Sequence, residues 1–173
     1  MFENLSDEIN SLIEYEGRDL KFKLKDKILP ISWGCTPSIS YDYLLTDSKH
    51  EHSFLNPEIN SFTSEDFPTL SDSQIYFKKI QDICKKSFED LNDDCVFFTT
   101  IVNPNRNLKN IVDIIFSTKL QADQIPTFIE IKLYTNKVNP KSPRVFGFIG
   151  NANIIYILFY DPYHKIYDKT GRI

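Results

Sequence analysis

From Thr127 to Asp168 the chain holds three strand-like runs separated by two turn-rich breaks. A period of two predicts β-strands, here paired in order as an antiparallel meander. In the first run, Phe128 to Tyr134, the residues Ile129, Ile131 and Leu133 fall on one face and Glu130, Lys132 and Tyr134 on the other. One face is predicted to be core and the other wet. The second run, Arg144 to Ile149, follows a polar, proline-bounded loop from Thr135 to Pro143, and its Gly147 signals a bulge or a close backbone approach. Gly150-Asn151-Ala152-Asn153 supplies a sharp turn, because Gly and Asn tolerate positive φ. The third run, Ile154 to Tyr160, is apolar on both faces, which predicts a central or covered strand. Pro162 has no N–H to continue a ladder, so Asp161-Pro162 leaves Tyr163, His164, Lys165 and Tyr167 just past the sheet's end.

Upstream, Ser6 to Glu16 reads as a helix, with Ser6 as cap, Ile9, Leu12 and Ile13 on one stripe, and Gly17 as stop. Leu20 to Lys25 alternates strictly and predicts a half-buried strand, whereas Pro30 reduces Ile28 to Trp33 to an edge strand. Ile39 to Leu45 is a further strand candidate. Thr46 to Leu70 is rich in Ser, Asp, Asn and Pro and predicts a long polar loop. Leu70 to Leu91 predicts one long helix, capped by Ser71 or Ser73, with Tyr76, Ile80, Ile83, Cys84, Ser87, Phe88 and Leu91 facing the core. Asn92-Asp93-Asp94 breaks it, and Val96 to Val102 and Ile111 to Ser117 read as two strands around an Asn103 to Asn110 loop. The predicted fold is a single α+β domain over residues 1–173: a mainly antiparallel, curved sheet, with the meander packed by the long helix and the short N-terminal helix nearby.

With 41% hydrophobic residues over 173 positions the chain can bury a real core. The net charge of −4 disfavours a protein that coats nucleic acid without selectivity. Basic residues nevertheless cluster late, at Lys132, Lys137, Lys141, Arg144, His164, Lys165, Lys169 and Arg172. Cys35, Cys84 and Cys95 are odd in number and far apart, which predicts reduced, buried thiols rather than disulfides or a zinc site. No apolar stretch reaches the length of a membrane span, so the expected location is the cytoplasm.

The order of an E-x-K strand (Glu130, Lys132), a polar loop, a strand opening on Arg144, a G-N turn and an apolar strand ending in His164, Lys165 and Tyr167 resembles the C-terminal half of RelE and HigB type bacterial toxins. The resemblance covers about Pro126 to Tyr167, and the ending also resembles small proteins of bacterial mobile elements. It implies a metal-independent endoribonuclease without cofactor, a toxin-like or host-defence protein with RNA, the ribosome or an antitoxin protein as partner. By that resemblance Arg144 and Lys132 hold a phosphate, His164 or Tyr167 transfers a proton and Glu130 accepts one, with Lys141 and Lys165 on the RNA.

The same residues have a plainer reading, in which Glu130, Lys132 and Arg144 are cross-strand ion-pair partners, His164 caps a turn and Tyr163 and Tyr167 close the rim of the core. A third reading sets Asp113 beside Glu130-Ile131-Lys132, which resembles the D…E-x-K set of restriction-type nucleases, with Asp113 and Glu130 on Mg²⁺ and Lys132 positioning water. A fourth is a noncatalytic module that binds a protein through the sheet or the 46–70 loop. His50 and His52, taken with Cys35, lack a fourth metal ligand at standard spacing; the two histidines lie in the polar loop and read as solvated, and Trp33 reads as a core or interface aromatic. Lys21, Lys23, Lys25 and Lys27 read as lysines protecting an edge strand.

Overall fold

A computed structural model describes residues 31–57, 70–117, 119–120, 125–134 and 142–167. The predicted helix Ser6 to Glu16, the strand Leu20 to Lys25 with its lysine ladder, the start of the Ile28 to Trp33 run, residues 58–69 of the polar loop and Lys141 lie outside them. The described chain runs β1 (Ser38–Ser40), α1 (Asp72–Ile83), α2 (Phe88–Asp94), β2 (Phe98–Ile101), α3 (Arg106–Phe116), β3 (Phe128–Lys132), β4 (Arg144–Ile149) and β5 (Ile154–Asp161). The strands form one open sheet in the order β1-β5-β4-β3-β2. Strands β2 to β5 pair antiparallel and β1 joins β5 in parallel, so the α+β class holds with a mixed, mostly antiparallel sheet.

The meander is where the alternation places it, and a register shift between Phe146 and Gly147 marks the expected bulge. A Cβ at Gly147 would lie 2.5 Å from the main-chain oxygen of Tyr156, so only glycine lets β4 and β5 come this close. Strand β5 is covered on both faces, as its composition requires, and its ladder ends at Asp161. Of the Ile39 to Leu45 run only the first residues pair, within β1, and residues 31–33 form no strand.

Two elements differ from the sequence expectation. Leu70 to Leu91 is not one helix. Ser71 and Gln74 form a capping box that opens α1, and Ser87 and Asp90 form a second one that opens α2, so the chain turns between them. Cys84 and Ser87 consequently leave the core stripe, and Cys84 is exposed. Asn92 to Asp94 belongs to α2 rather than breaking it. Cys35 is also exposed, which leaves only Cys95 as the buried free thiol expected of all three. Ile111 to Phe116 is not a strand but the second half of α3, which Asn105 caps at its start through the Leu108 amide and Ser117 ends. Leu108, Ile111, Val112 and Ile115 recur at helical spacing and pack as one stripe.

That helix changes the account of the sheet. Helices α1 and α2 cover one face through Ile75, Tyr76, Ile83, Phe88 and Leu91 over Ile129, Ile131, Val145, Ile157 and Tyr160. Helix α3 covers the other, packing Leu108, Ile111 and Val112 with Phe128, Phe146, Phe148 and Leu158. The face expected to be wet is therefore wet only at the Glu130 and Lys132 end. Tyr134, expected there, is buried, and its hydroxyl donates to the Asp72 carboxylate at 2.7 Å. The Tyr160 hydroxyl donates to the other Asp72 oxygen, so one buried carboxylate at the start of α1 satisfies two phenols of the sheet.

Candidate functional site at the end of the meander

Where β5 stops, cross-strand pairing lines up Lys132, Arg144 and Asp161, with Glu130 opposite Phe146 in the next row. Residues of one row share a face of the sheet, so the register itself brings the charges together. Arg144 Nε donates to Glu130 Oε1 at 3.1 Å, and His164 Nε2 lies 3.7 Å from Glu130 Oε2. Glu130 is thus shared between a guanidinium and an imidazole. The Arg144 side chain is 7% exposed, against 18% for Glu130 and 24% for His164, so the buried group braces Glu130 from the protein side.

Arg144 is deeply engaged with the fold. Its Nη1 donates to the main-chain oxygens of Tyr134, Ser142 and Pro143 at 3.0–3.2 Å. Burial pulls its pKa below the usual guanidinium value, while Glu130 and Asp161 hold it up. A guanidinium held this way orients a carboxylate; most of its donors are not offered to a ligand. Lys132 is half-buried on the same face, and its ammonium makes no ion pair among the described residues.

His164 sits in a left-handed conformation, φ 54°, uncommon for a residue with a side chain. The following segment is tied down at several points. Asp161, fully buried, accepts the Lys165 and Ile166 amides at 3.0 and 2.8 Å. Asn105 donates from Nδ2 to the Ile166 oxygen at 2.6 Å, and its own amide donates to the Tyr167 hydroxyl at 3.4 Å. The Tyr167 ring stacks on Phe146, with centroids 6.2 Å apart. Burial raises the Tyr167 pKa, and the Glu130 charge adds to it. Lys165 instead forms an exposed 2.7 Å bridge to Glu51, which raises its pKa, and contributes little to stability.

Beneath this cluster lies His52, expected to be solvated and in fact 5% exposed. Its Nδ1 is 3.3 Å from the Tyr160 oxygen and 4.0 Å from Asp161 Oδ1. Burial depresses its pKa, opposed by the Asp161 and Glu51 charges. His50 accepts the His52 amide on Nδ1 at 3.1 Å. Cys35 contacts the Ser32 hydroxyl instead, and among the described residues no three His, Cys, Asp or Glu side chains gather as a metal site would require. Trp33 lies at the rim, 44% exposed, edge-on to Phe88.

The structure therefore brings Glu130, Arg144, His164 and Tyr167 to one end of the sheet, with Lys132 in the same strip and Lys165 turned to Glu51. Asp113 is on α3, where its carboxylate accepts the Leu120 amide at 3.2 Å, so it does not occupy the strand position assumed for a D…E-x-K set. His52, Asp161 and Asn105 carry no site role in the sequence pattern alone. Asp161 had a visible signal, a carboxylate at the point where Pro162 ends a strand.

Fold and site together define an α+β domain with a carboxylate–imidazole pair at the exposed end of a doubly covered sheet. No family model, curated protein or solved structure matches the chain. Among the described residues no helix is long and apolar enough to cross a membrane.

Proposed function

We propose that this protein is a cytoplasmic, toxin-like or host-defence endoribonuclease of a bacterial mobile element, cleaving RNA without a metal through Glu130 and His164. The observation that carries the reading is the Glu130 carboxylate held by Arg144 on one oxygen and facing His164 on the other. In the proposed reaction Glu130 takes the proton of a ribose 2′-hydroxyl as that oxygen bonds to the adjacent phosphorus. The bond from phosphorus to the 5′-oxygen breaks, and protonated His164 supplies that oxygen with its proton. The products are a 2′,3′-cyclic phosphate and a 5′-hydroxyl. Lys132 neutralises the non-bridging oxygens, and Arg144, which the toxin resemblance would put on the phosphate, keeps Glu130 in place. Tyr167 supports the floor of the site through its stack on Phe146.

The test is single-stranded RNA incubated with purified protein in EDTA, with end-group analysis of the products. Cleavage leaving cyclic phosphates is expected, and Glu130→Gln and His164→Gln should each lower the rate by roughly 10²–10⁴-fold. A folded wild-type protein that cleaves nothing, or variants as active as wild type, would overturn the reading. Cleavage abolished by EDTA would equally overturn this metal-independent reaction.

A noncatalytic protein-binding module is the second reading. It is favoured by the engagement of Arg144 with main-chain oxygens and by an open, mostly apolar hollow of about 470 Å³ lined by Tyr41, Leu44, Phe54, Ser73, Tyr76 and Phe77. It predicts no cleavage with or without divalent metal.

A further inference from the structure

We propose that Asp161 and Asn105 form a two-point clamp on the segment after β5, making both of them positioning residues for His164. His164 lies on neither strand nor helix, so nothing in the regular secondary structure fixes where its imidazole points. The hydrogen bonds around it do. Both oxygens of Asp161 are spent on the two amides that follow His164, closing the turn over Pro162 and Tyr163 from the sheet side. Asn105 holds the same segment from the helix side: its Nδ2 donates to the Ile166 carbonyl, its main-chain amide donates to the Tyr167 hydroxyl, and its Oδ1 accepts the Leu108 amide to cap α3.

The two anchors belong to elements far apart in sequence, and the residue between them adopts a left-handed φ of 54° that an unrestrained histidine visits rarely. Asp161 is 0% exposed and faces Arg144 across the ladder, so the carboxylate that fixes the His164 turn also supports the charge on the guanidinium that holds Glu130. One buried group thereby sets both halves of the pair.

The clamp rests on the proposed acid–base pair for its effect on catalysis but not for its effect on His164 itself, and two measurements separate these. Asn105→Asp keeps an equally good helix cap while turning a carboxylate oxygen toward the Ile166 carbonyl, so it opens the clamp at a half-buried position without removing the cap. Asp161→Asn keeps the size of the side chain but sets an NH₂ against one of the two amides. The reactivity of His164 toward diethyl pyrocarbonate, mapped by mass spectrometry with His50 as internal reference, is expected to rise several-fold in both variants. The RNA cleavage rate in EDTA should fall by roughly 10–100-fold in kcat with KM nearly unchanged, as expected for a misplaced rather than a missing group. If Asp161→Asn fails to fold, Asn105→Asp carries the test. His164 reactivity unchanged in folded Asn105→Asp overturns the clamp. Raised reactivity in a protein whose wild type cleaves no RNA upholds the clamp and removes the proposed activity.

Discussion

Replacing Gly147 by alanine is the sharpest probe of how the sheet is built. The added Cβ would sit 2.5 Å from the Tyr156 carbonyl oxygen and 3.4 Å from Ile129 Cγ1. The first neighbour is main chain in a ladder fixed on both sides by Gly147↔Ile157 and Phe148↔Tyr156, so it cannot swing away as a side chain would. Overpacking of this kind costs about 1–3 kcal/mol, and a backbone obstacle puts Gly147→Ala at the upper end. At about 2–4 °C per kcal/mol for a chain of this length, the melting midpoint should fall by roughly 6–12 °C. Gly150→Ala is the matched control. There the Cβ meets Tyr156 Cε2 at 2.5 Å and Cδ2 at 3.0 Å, ring atoms of a side chain that can tilt, so the loss should be smaller. Urea titrations followed by far-ultraviolet circular dichroism and by fluorescence of the single tryptophan, Trp33, compare the two directly. Gly147→Ala as stable as wild type, or less damaging than Gly150→Ala, would refute the close approach as the reason for glycine. The bulge also sets the site: with Leu158 as the extra residue Arg144 faces Asp161, whereas an unbroken register would set it against Tyr160.

Two further outcomes follow from the buried charges. Removing the Arg144 head group in Arg144→Met takes a donor from Glu130 and from three carbonyls, of which Pro143 keeps the Leu133 amide. It should cost about 1–3 kcal/mol, the half-open Glu130 recovering some solvation, and a variant as stable as wild type in urea would show that the guanidinium does not brace the fold. Burial holds His52 below its ordinary pKa of 6.5, so on acidification the unfolded chain takes up this proton before the folded one. His52 therefore contributes a loss of stability that begins as pH falls through about 6.5 and is complete below the depressed folded value. Urea midpoints measured across that window should slope less steeply in His52→Gln than in wild type, and equal slopes would contradict the assignment.

The meander was legible because a period of two is a strong signal when glycine, asparagine and proline punctuate it, and Gly147 and Asp161-Pro162 carried local information that the structure uses. The misread segments failed for local reasons too. Ile111-Val112-Asp113-Ile114-Ile115 is β-branched enough to look like a strand, but its apolar residues continue a helical stripe that begins at Leu108, behind an asparagine cap assigned to a loop. In Leu70 to Leu91 the helical spacing was real on both sides of the break. Helical spacing puts Ser87 on the core stripe, yet it is the cap of a second helix, and the local signal for that is Asp90 three residues later.

The burial of the site was harder to read, because it depends on partners far away in the chain. Phe128, Phe146 and Phe148 share a face with Glu130 and Arg144, so the sequence already held a face that is apolar at one end and charged at the other. An aromatic stretch of that kind needs a cover, and α3 supplies it. Once the aromatic end is covered, the charged end is what remains of the open face. Glu130 and His164 then stand at the border between a packed core and water, with Arg144 buried behind them. A carboxylate there is held rigidly from the protein side and stays accessible from the other. That placement lets a structural ion pair and the proposed acid–base pair share one residue, and it is why Glu130→Gln is expected to separate stability from the proposed activity, whereas Arg144→Met is expected to disturb both.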